Sequence, residues 1–141
     1  MYKDVVTIFN REKTALGDIW HPHVLRGVNL NTDKGAIYRE YGPESQDNAV
    51  LNVRYEKNGN HVMVGAVEWM PPKEWSASNR TGLTFASGDI FYMGEWTGGT
   101  PYDDNYAEGF LQYMLNHFDF VYTVTSVGYF TVIPHFEVTG R

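Results

Sequence analysis

AVLNVRY–EKNGN–HVMVGA, running from Ala49 to Ala66, is the stretch that decides the fold class. Successive side chains of a strand point to opposite faces, so strict alternation marks a strand with one buried side. Here Val50, Asn52 and Arg54 share one face, and Leu51, Val53 and Tyr55 share the other. Glu56-Lys57-Asn58-Gly59-Asn60 follows, the strongest turn in the chain, because its Asn-Gly dipeptide readily supplies the positive φ that a tight hairpin needs. His61 to Ala66 then returns as the partner strand.

The same pattern extends outward in both directions. Toward the N-terminus, Val5 to Asn10 (VVTIFN) is a β-branched and aromatic run, a strand candidate followed by a polar hinge from Arg11 to Asp18. Ile19 to Leu30 (IWHPHVLRGVNL) reads as a further strand, with Pro22 at an edge or bulge and Gly27 at a bend. Asn31 to Asn48 is rich in Asn, Asp, Gly and Ser and is the candidate for a long protruding loop. Toward the C-terminus, Pro71-Pro72 is expected to stop any element. Leu83 to Phe85 and Ile90 to Met93 bracket a tight turn at Ser87-Gly88-Asp89, and Val121 to Val127 with Phe130 to Val138 reads as a closing hairpin around Gly128. One segment has helical periodicity. Asn105 and Glu108 are spaced as a capping box, and Tyr106, Phe110, Tyr113, Met114 and His117 fall on one helical face. The expected architecture is mainly β: a small antiparallel β-barrel or sandwich with one short α-helix at about 105–117 and a long loop at about 31–48.

The 141 residues suit a single β-rich domain, 1–141, since domains usually run roughly 100–200 residues. An apolar share of 43% is enough to build a core, and an aromatic share of 16% favours strands and contact surfaces. The absence of cysteine excludes disulfides, thiol catalysis and Cys-ligated zinc. With 17 acids against 11 Lys and Arg, and no basic run, the chain lacks the clustered cations that neutralise phosphates in DNA binding. No stretch approaches the roughly 20 apolar residues of a membrane span. Met1-Tyr2-Lys3-Asp4 has no apolar signal core, so synthesis in the cytoplasm and no membrane insertion are expected.

No chemical motif stands out. His21 and His23, two apart, project to one strand face, but no motif supplies the third ligand that a metal needs, and His61, His117 and His135 are isolated. Glu68, Glu74, Asp89, Glu95, Asp103 and Asp104 include no pair singled out by spacing for acid–base work. Asp89, in its turn, suits bonding to backbone N–H groups, and Asp103 and Asp104 suit a helix start. Thr97-Gly98-Gly99-Thr100 lacks the Lys-Ser/Thr of a phosphate loop. No catalytic, cofactor-binding or metal-ligating residue is therefore assigned, and no enzymatic activity is expected. Trp69, Trp75 and Trp96 lie beside proline, glycine or charged residues, and with Tyr102 they are the candidate interface residues.

A resemblance joins these pieces. VTIFNR (Val6 to Arg11), Trp20 with Val24-Leu25 and Gly27-Val28, Lys34-Gly35, Pro71-Pro72-Lys73-Glu74-Trp75, Leu83-Thr84-Phe85 leading into Ser87-Gly88-Asp89-Ile90, Thr125-Ser126-Val127, and Pro134-His135-Phe136-Glu137-Val138 with Gly140 follow one another in a characteristic order. Together they resemble the small phage and prophage proteins of Firmicutes known as minor capsid or head–tail connector proteins, from which residues 95–118 depart as an insertion. The resemblance implies a head-closure-type β-barrel that forms a ring with itself below the portal. It also implies portal or adaptor and tail proteins as partners, DNA only as passing cargo, and a place in the virion after synthesis in the host cytoplasm. The net charge of −6 would suit a lumen that does not hold phosphate. A tail terminator or other tail-side subunit is the alternative within this class. A carbohydrate- or small-ligand-binding β module, with the tryptophans stacking on sugar faces, is the alternative outside it.

Overall fold

The computed structural model describes residues 2–32 and 49–141. The described strands are β1 (Asp4–Thr14), β2 (Gly17–Thr32), β3 (Ala49–Arg54), β4 (Glu56–Asn58), β5 (His61–Val64), β6 (Val67–Trp69), β7 (Ile90–Met93), β8 (Val121–Phe130) and β9 (His135–Gly140). Two helices join them, α1 (Pro72–Ala77) and α2 (Phe110–His117). Six strands close into a barrel in the order β1-β2-β3-β9-β8-β7, and β4-β5-β6 form a separate small sheet. Every strand pair is antiparallel. The mainly β expectation holds, as a closed barrel.

The alternation in the opening stretch is realised in full. Ala49, Leu51, Val53 and Tyr55 are buried, while Val50 and Asn52 are half-buried and Arg54 is exposed. The returning strand is a correction: His61–Val64 pairs with Glu56–Asn58, which is the strand β4 rather than part of the turn, and not with 49–55, whose partners are β2 and β9. Asn58 pairs with His61, leaving Gly59-Asn60 as the two-residue turn, with Gly59 at φ +65°. The bend expected at Gly27 is a bulge: Asp4 pairs with Val28 and Val5 with Arg26, so Gly27 is the extra residue, at φ +67°. Pro22 pairs with Phe9 on one side, and β2 meets β3 only from Asn29 onward, so the proline's other side has no ladder to break.

The two faces of β1 and β7 build two cores. Ile8 and Phe91 point into the barrel with Leu51, Val53, Phe136 and Val138, all wholly buried or nearly so. Phe9, Ile90 and Tyr92 point outward, where Trp20 and the α2 residues Phe110 and Met114 cover them. The small sheet packs over the barrel through Val62 and Val64. Leu83 staples its β6 edge, donating its N–H to Glu68 O at 2.9 Å and accepting from Met70 N at 2.9 Å.

Further local expectations are corrected. Arg11 to Thr14 are not a hinge: they continue β1 by pairing with Trp20 back to Gly17, and Ala15-Leu16 make the turn. Pro71-Pro72 follows the end of β6 at Trp69, as expected, but Pro72 also opens α1, where its missing N–H is no loss. The helix expected at 105–117 begins at Phe110. Asp103–Asn105 forms a separate 3-10 turn, and no Asn105–Glu108 capping box forms. The last hairpin turns not at Gly128, which lies within β8 opposite Glu137, but at 131–134, beyond the Phe130–His135 pair. Of the loop expected at 31–48, Asn31 and Thr32 complete β2. Residues 33–48, Lys34-Gly35 among them, lie outside the described residues.

Candidate interaction surface

The β8–β9 hairpin stays paired up to Phe130 and His135 and turns at 131–134 in an apolar tip. Val132 is 95% exposed and Ile133 72%, and Tyr129 and Phe130 below them are each more than two-fifths exposed. The base of the tip is fixed by aromatic packing. Tyr129 stacks on Tyr55 at 5.2 Å and on Trp69 at 5.6 Å, and Phe130 stacks on His135 at 4.8 Å. The Tyr55 hydroxyl donates to Phe130 O at 2.7 Å. An apolar turn held rigid in water has the character of a contact point, because exposed branched side chains gain free energy only when covered.

A second apolar patch lies at the other end of the same strand. Phe118 and Phe120, just before β8 begins, are exposed, as are Met93 and the α2 residue Leu115. Phe118 rests against Tyr92 at 5.1 Å, and Met93 N donates to Phe120 O at 3.1 Å. The ten residues of β8 separate the two patches, and at about 3.3 Å per residue that is roughly 30 Å.

The four residues singled out in the sequence are not brought together. Trp75 is only 3% exposed. Its ring faces His21, its Nε1 donates to Gly82 O at 3.0 Å, and it has almost no surface left for a partner. Trp69 is half-buried beneath the hairpin tip, stacked on Tyr129. Trp96 packs edge-on against Phe9 and Phe110 and donates to Gly99 O at 2.8 Å. Tyr102 is 46% exposed beside the barrel, bridged to Ile19. The surface residues that sequence reasoning missed are Phe118, Phe120, Val132 and Ile133. Pro134 was the available signal for the last two, because a proline removes a ladder donor and is disfavoured where a strand is paired on both sides, so the turn belongs beside it.

The polar side chains that converge do so inside the protein. Asp89 accepts from Arg11 N, Asn10 Nδ2 and Ala86 N, each at 2.9 Å. Burial pushes its carboxyl up to about 6 against these bonds. Asn10 also donates to Thr84 O at 2.6 Å and accepts from Thr84 N at 3.2 Å. The cluster thus ties β1 to the turn before β7, in keeping with the backbone-bonding role expected of Asp89. Asp103 likewise bonds three donors: Trp20 Nε1 at 2.8 Å, Phe110 N at 3.0 Å and Asp18 N at 3.2 Å. His21 pairs with Glu12 at 2.9 Å, whereas burial, with His21 nearby, lowers His23 to about 4. Among the described residues no three His, Asp or Glu side chains are grouped to hold a metal ion.

With this geometry in view, comparison with known proteins gives one match. The description "Family of unknown function (DUF6751)" covers residues 1–141. The chain belongs to this family. No curated protein and no solved structure shows a significant match to it. As a member of that family the chain carries two apolar ends on a closed barrel, and among its described residues no helix is long and apolar enough to cross a membrane.

Proposed function

We propose that this protein is a structural subunit of a tailed-phage neck, a head–tail connector of the head-closure kind that works as a ring in the virion. The observation that carries the reading is the pair of exposed apolar patches, Val132 with Ile133 and Phe118 with Phe120, at opposite ends of β8. A subunit that joins two larger assemblies needs two separate contact regions on a stiff spacer. A closed barrel supplies the spacer. The sequence resemblance to minor capsid and connector proteins supports the same reading and supplies the partners: portal or adaptor on one side, tail proteins on the other. DNA passes as cargo, and the acidic chain offers it no clustered cations.

The test is the composition and microscopy of purified particles. Mass spectrometry is expected to find the chain in virions, and gold-labelled antibody is expected to mark the junction of head and tail. Its absence from particles would overturn the proposal. The ligand-binding alternative has one observation in its favour, a cleft of about 240 Å³ flanked by Tyr106, Tyr113 and His117. Tyr113 already stacks on His117 at 4.2 Å, and none of Trp69, Trp75 and Trp96 lines this cleft, so the reading ranks second. Glycan-dependent quenching of tryptophan fluorescence would bring it forward.

A further inference from the structure

A single histidine closes the β8–β9 turn from below, and both of its ring nitrogens face acceptors. His135 pairs with Phe130 across the hairpin, and the two rings lie 4.8 Å apart and 9° from parallel. Nδ1 sits 2.6 Å from the Ile133 carbonyl oxygen, and Nε2 sits 3.0 Å from Glu137 Oε2. A carbonyl oxygen and an ionised carboxylate can only accept, so both contacts are hydrogen bonds only when both nitrogens carry protons. That form is the imidazolium. The Ile133 carbonyl belongs to the turn itself, whereas Tyr55 N reaches Pro134 O only at 3.5 Å. The ring is therefore the closer hold on the segment that presents Val132 and Ile133.

A neutral imidazole has one N–H for these two acceptors. A hydrogen bond to a charged acceptor is roughly twice as strong as one to a neutral acceptor, so the remaining proton goes to Nε2 and Glu137. The bare Nδ1 lone pair then faces the Ile133 oxygen, and the two repel. We infer that His135 is a proton-operated latch on the hairpin tip: protonated it fixes the turn, and neutral it lets the turn loosen. This goes beyond the connector reading and holds whatever the tip touches.

The neighbouring charges favour the closed latch. Glu137 shares the strand, and its own cross-strand neighbours, Asn52 and Gly128, are uncharged. Across β3 lies Arg54, whose guanidinium sits over the Tyr2 ring at 4.0 Å, and across β8 lies the uncharged Phe130. Tyr55 and Tyr129, next along those strands, turn to the opposite face and stack on each other. The Glu137 bond, and then the Ile133 carbonyl, raise His135 above its ordinary 6.5 against a small opposing effect of burial. The folded chain thus binds this proton more tightly than the unfolded chain. The stabilisation is complete below 6.5 and is lost as pH rises through the raised value.

Nuclear magnetic resonance of the ¹⁵N-labelled chain, titrated across the histidine range, tests the latch. The ring nitrogen shifts are expected to show His135 doubly protonated until well above 6.5 and then protonated at Nε2 alone. Over the same step the amide order parameters of Val132 and Ile133 are expected to fall from about 0.85 to 0.6 or below, with the barrel amides unchanged. Glu137→Gln is expected to bring the His135 midpoint down toward 6.5. His135→Gln is expected to remove the pH dependence of the tip. His61 is also raised, by Glu68, so His61→Gln is the control and is expected to leave the tip's response intact. A neutral ring that keeps its proton on Nδ1, a midpoint at or below 6.5, or a tip equally ordered on both sides of the step would overturn the inference. The connector reading fails separately, through the absence of the protein from particles.

Discussion

Replacing Asn10 with alanine removes one side chain and breaks three buried hydrogen bonds, to Thr84 O, Thr84 N and Asp89. The groups left behind stay out of water, and an orphaned buried polar group costs about 1–3 kcal/mol. Asn10→Ala is therefore expected to lose on the order of 2–4 kcal/mol, read as a fall of roughly 6–15 °C in melting temperature. A loss below about 1 kcal/mol would show that the cluster is dispensable. Two titrations at this scale oppose each other. Asp89 is raised to about 6, so between its ordinary range near 4 and that value the folded chain holds more protons than the unfolded one. Its contribution to stability therefore falls as pH rises through that window. His23 is lowered from 6.5 to about 4, so the unfolded chain takes up that proton first, and its contribution rises with pH over the same range. Asp89→Asn is expected to leave the histidine slope uncovered, with stability climbing from pH 4 to 6.5 more steeply than in wild type. His23→Gln is expected to tilt it the other way. Denaturant titrations at stepped pH measure both, and parallel curves for all three proteins would refute the assignment.

Helix α2 depends on an aspartate that lies outside it. Asp103 holds Phe110 N, Trp20 Nε1 and Asp18 N, so one carboxylate fixes the helix start and ties it to β2. Asp103→Ala is expected to cost about 1–3 kcal/mol. Amide exchange is expected to quicken over 110–117 while the barrel amides stay protected; unchanged exchange there would contradict the role. The hairpin tip should behave in the opposite way. Val132→Asp changes a side chain that is 95% exposed, so the fold is expected to keep its stability within about 0.5 kcal/mol while association is lost. These elements also mark what the sequence could disclose. Alternation over 49–55 and a tight turn at Gly59 were legible because both are set by neighbouring residues, whereas the partner of 61–64, which is 56–58 rather than 49–55, was not. The start of α2 was not, because its cap reaches Trp20 across 83 positions, and Asn105 with Glu108 offered a local pattern that the fold does not use. The tip was hidden for another reason. Phe130 to Ile133 are as apolar as a core strand, and only the site of the turn decides whether they are covered.

For the whole molecule, the sequence made a small antiparallel barrel legible, because many short strands separated by turns favour closure. It did not disclose where the apolar surplus ends up. Trp75, expected at an interface, is used inside the domain, while the surplus emerges at the two ends of β8. That distribution is what joins the fold to the proposed work as a connector, and it can be tested in assembling particles. The most direct measurement is electron microscopy of lysates from a phage or prophage carrying Val132→Asp with Ile133→Asp, alongside a melting curve showing that the purified variant is folded. The expected result is DNA-filled heads and separate tails with few joined particles. Normal numbers of joined, infectious particles from a folded variant would contradict it.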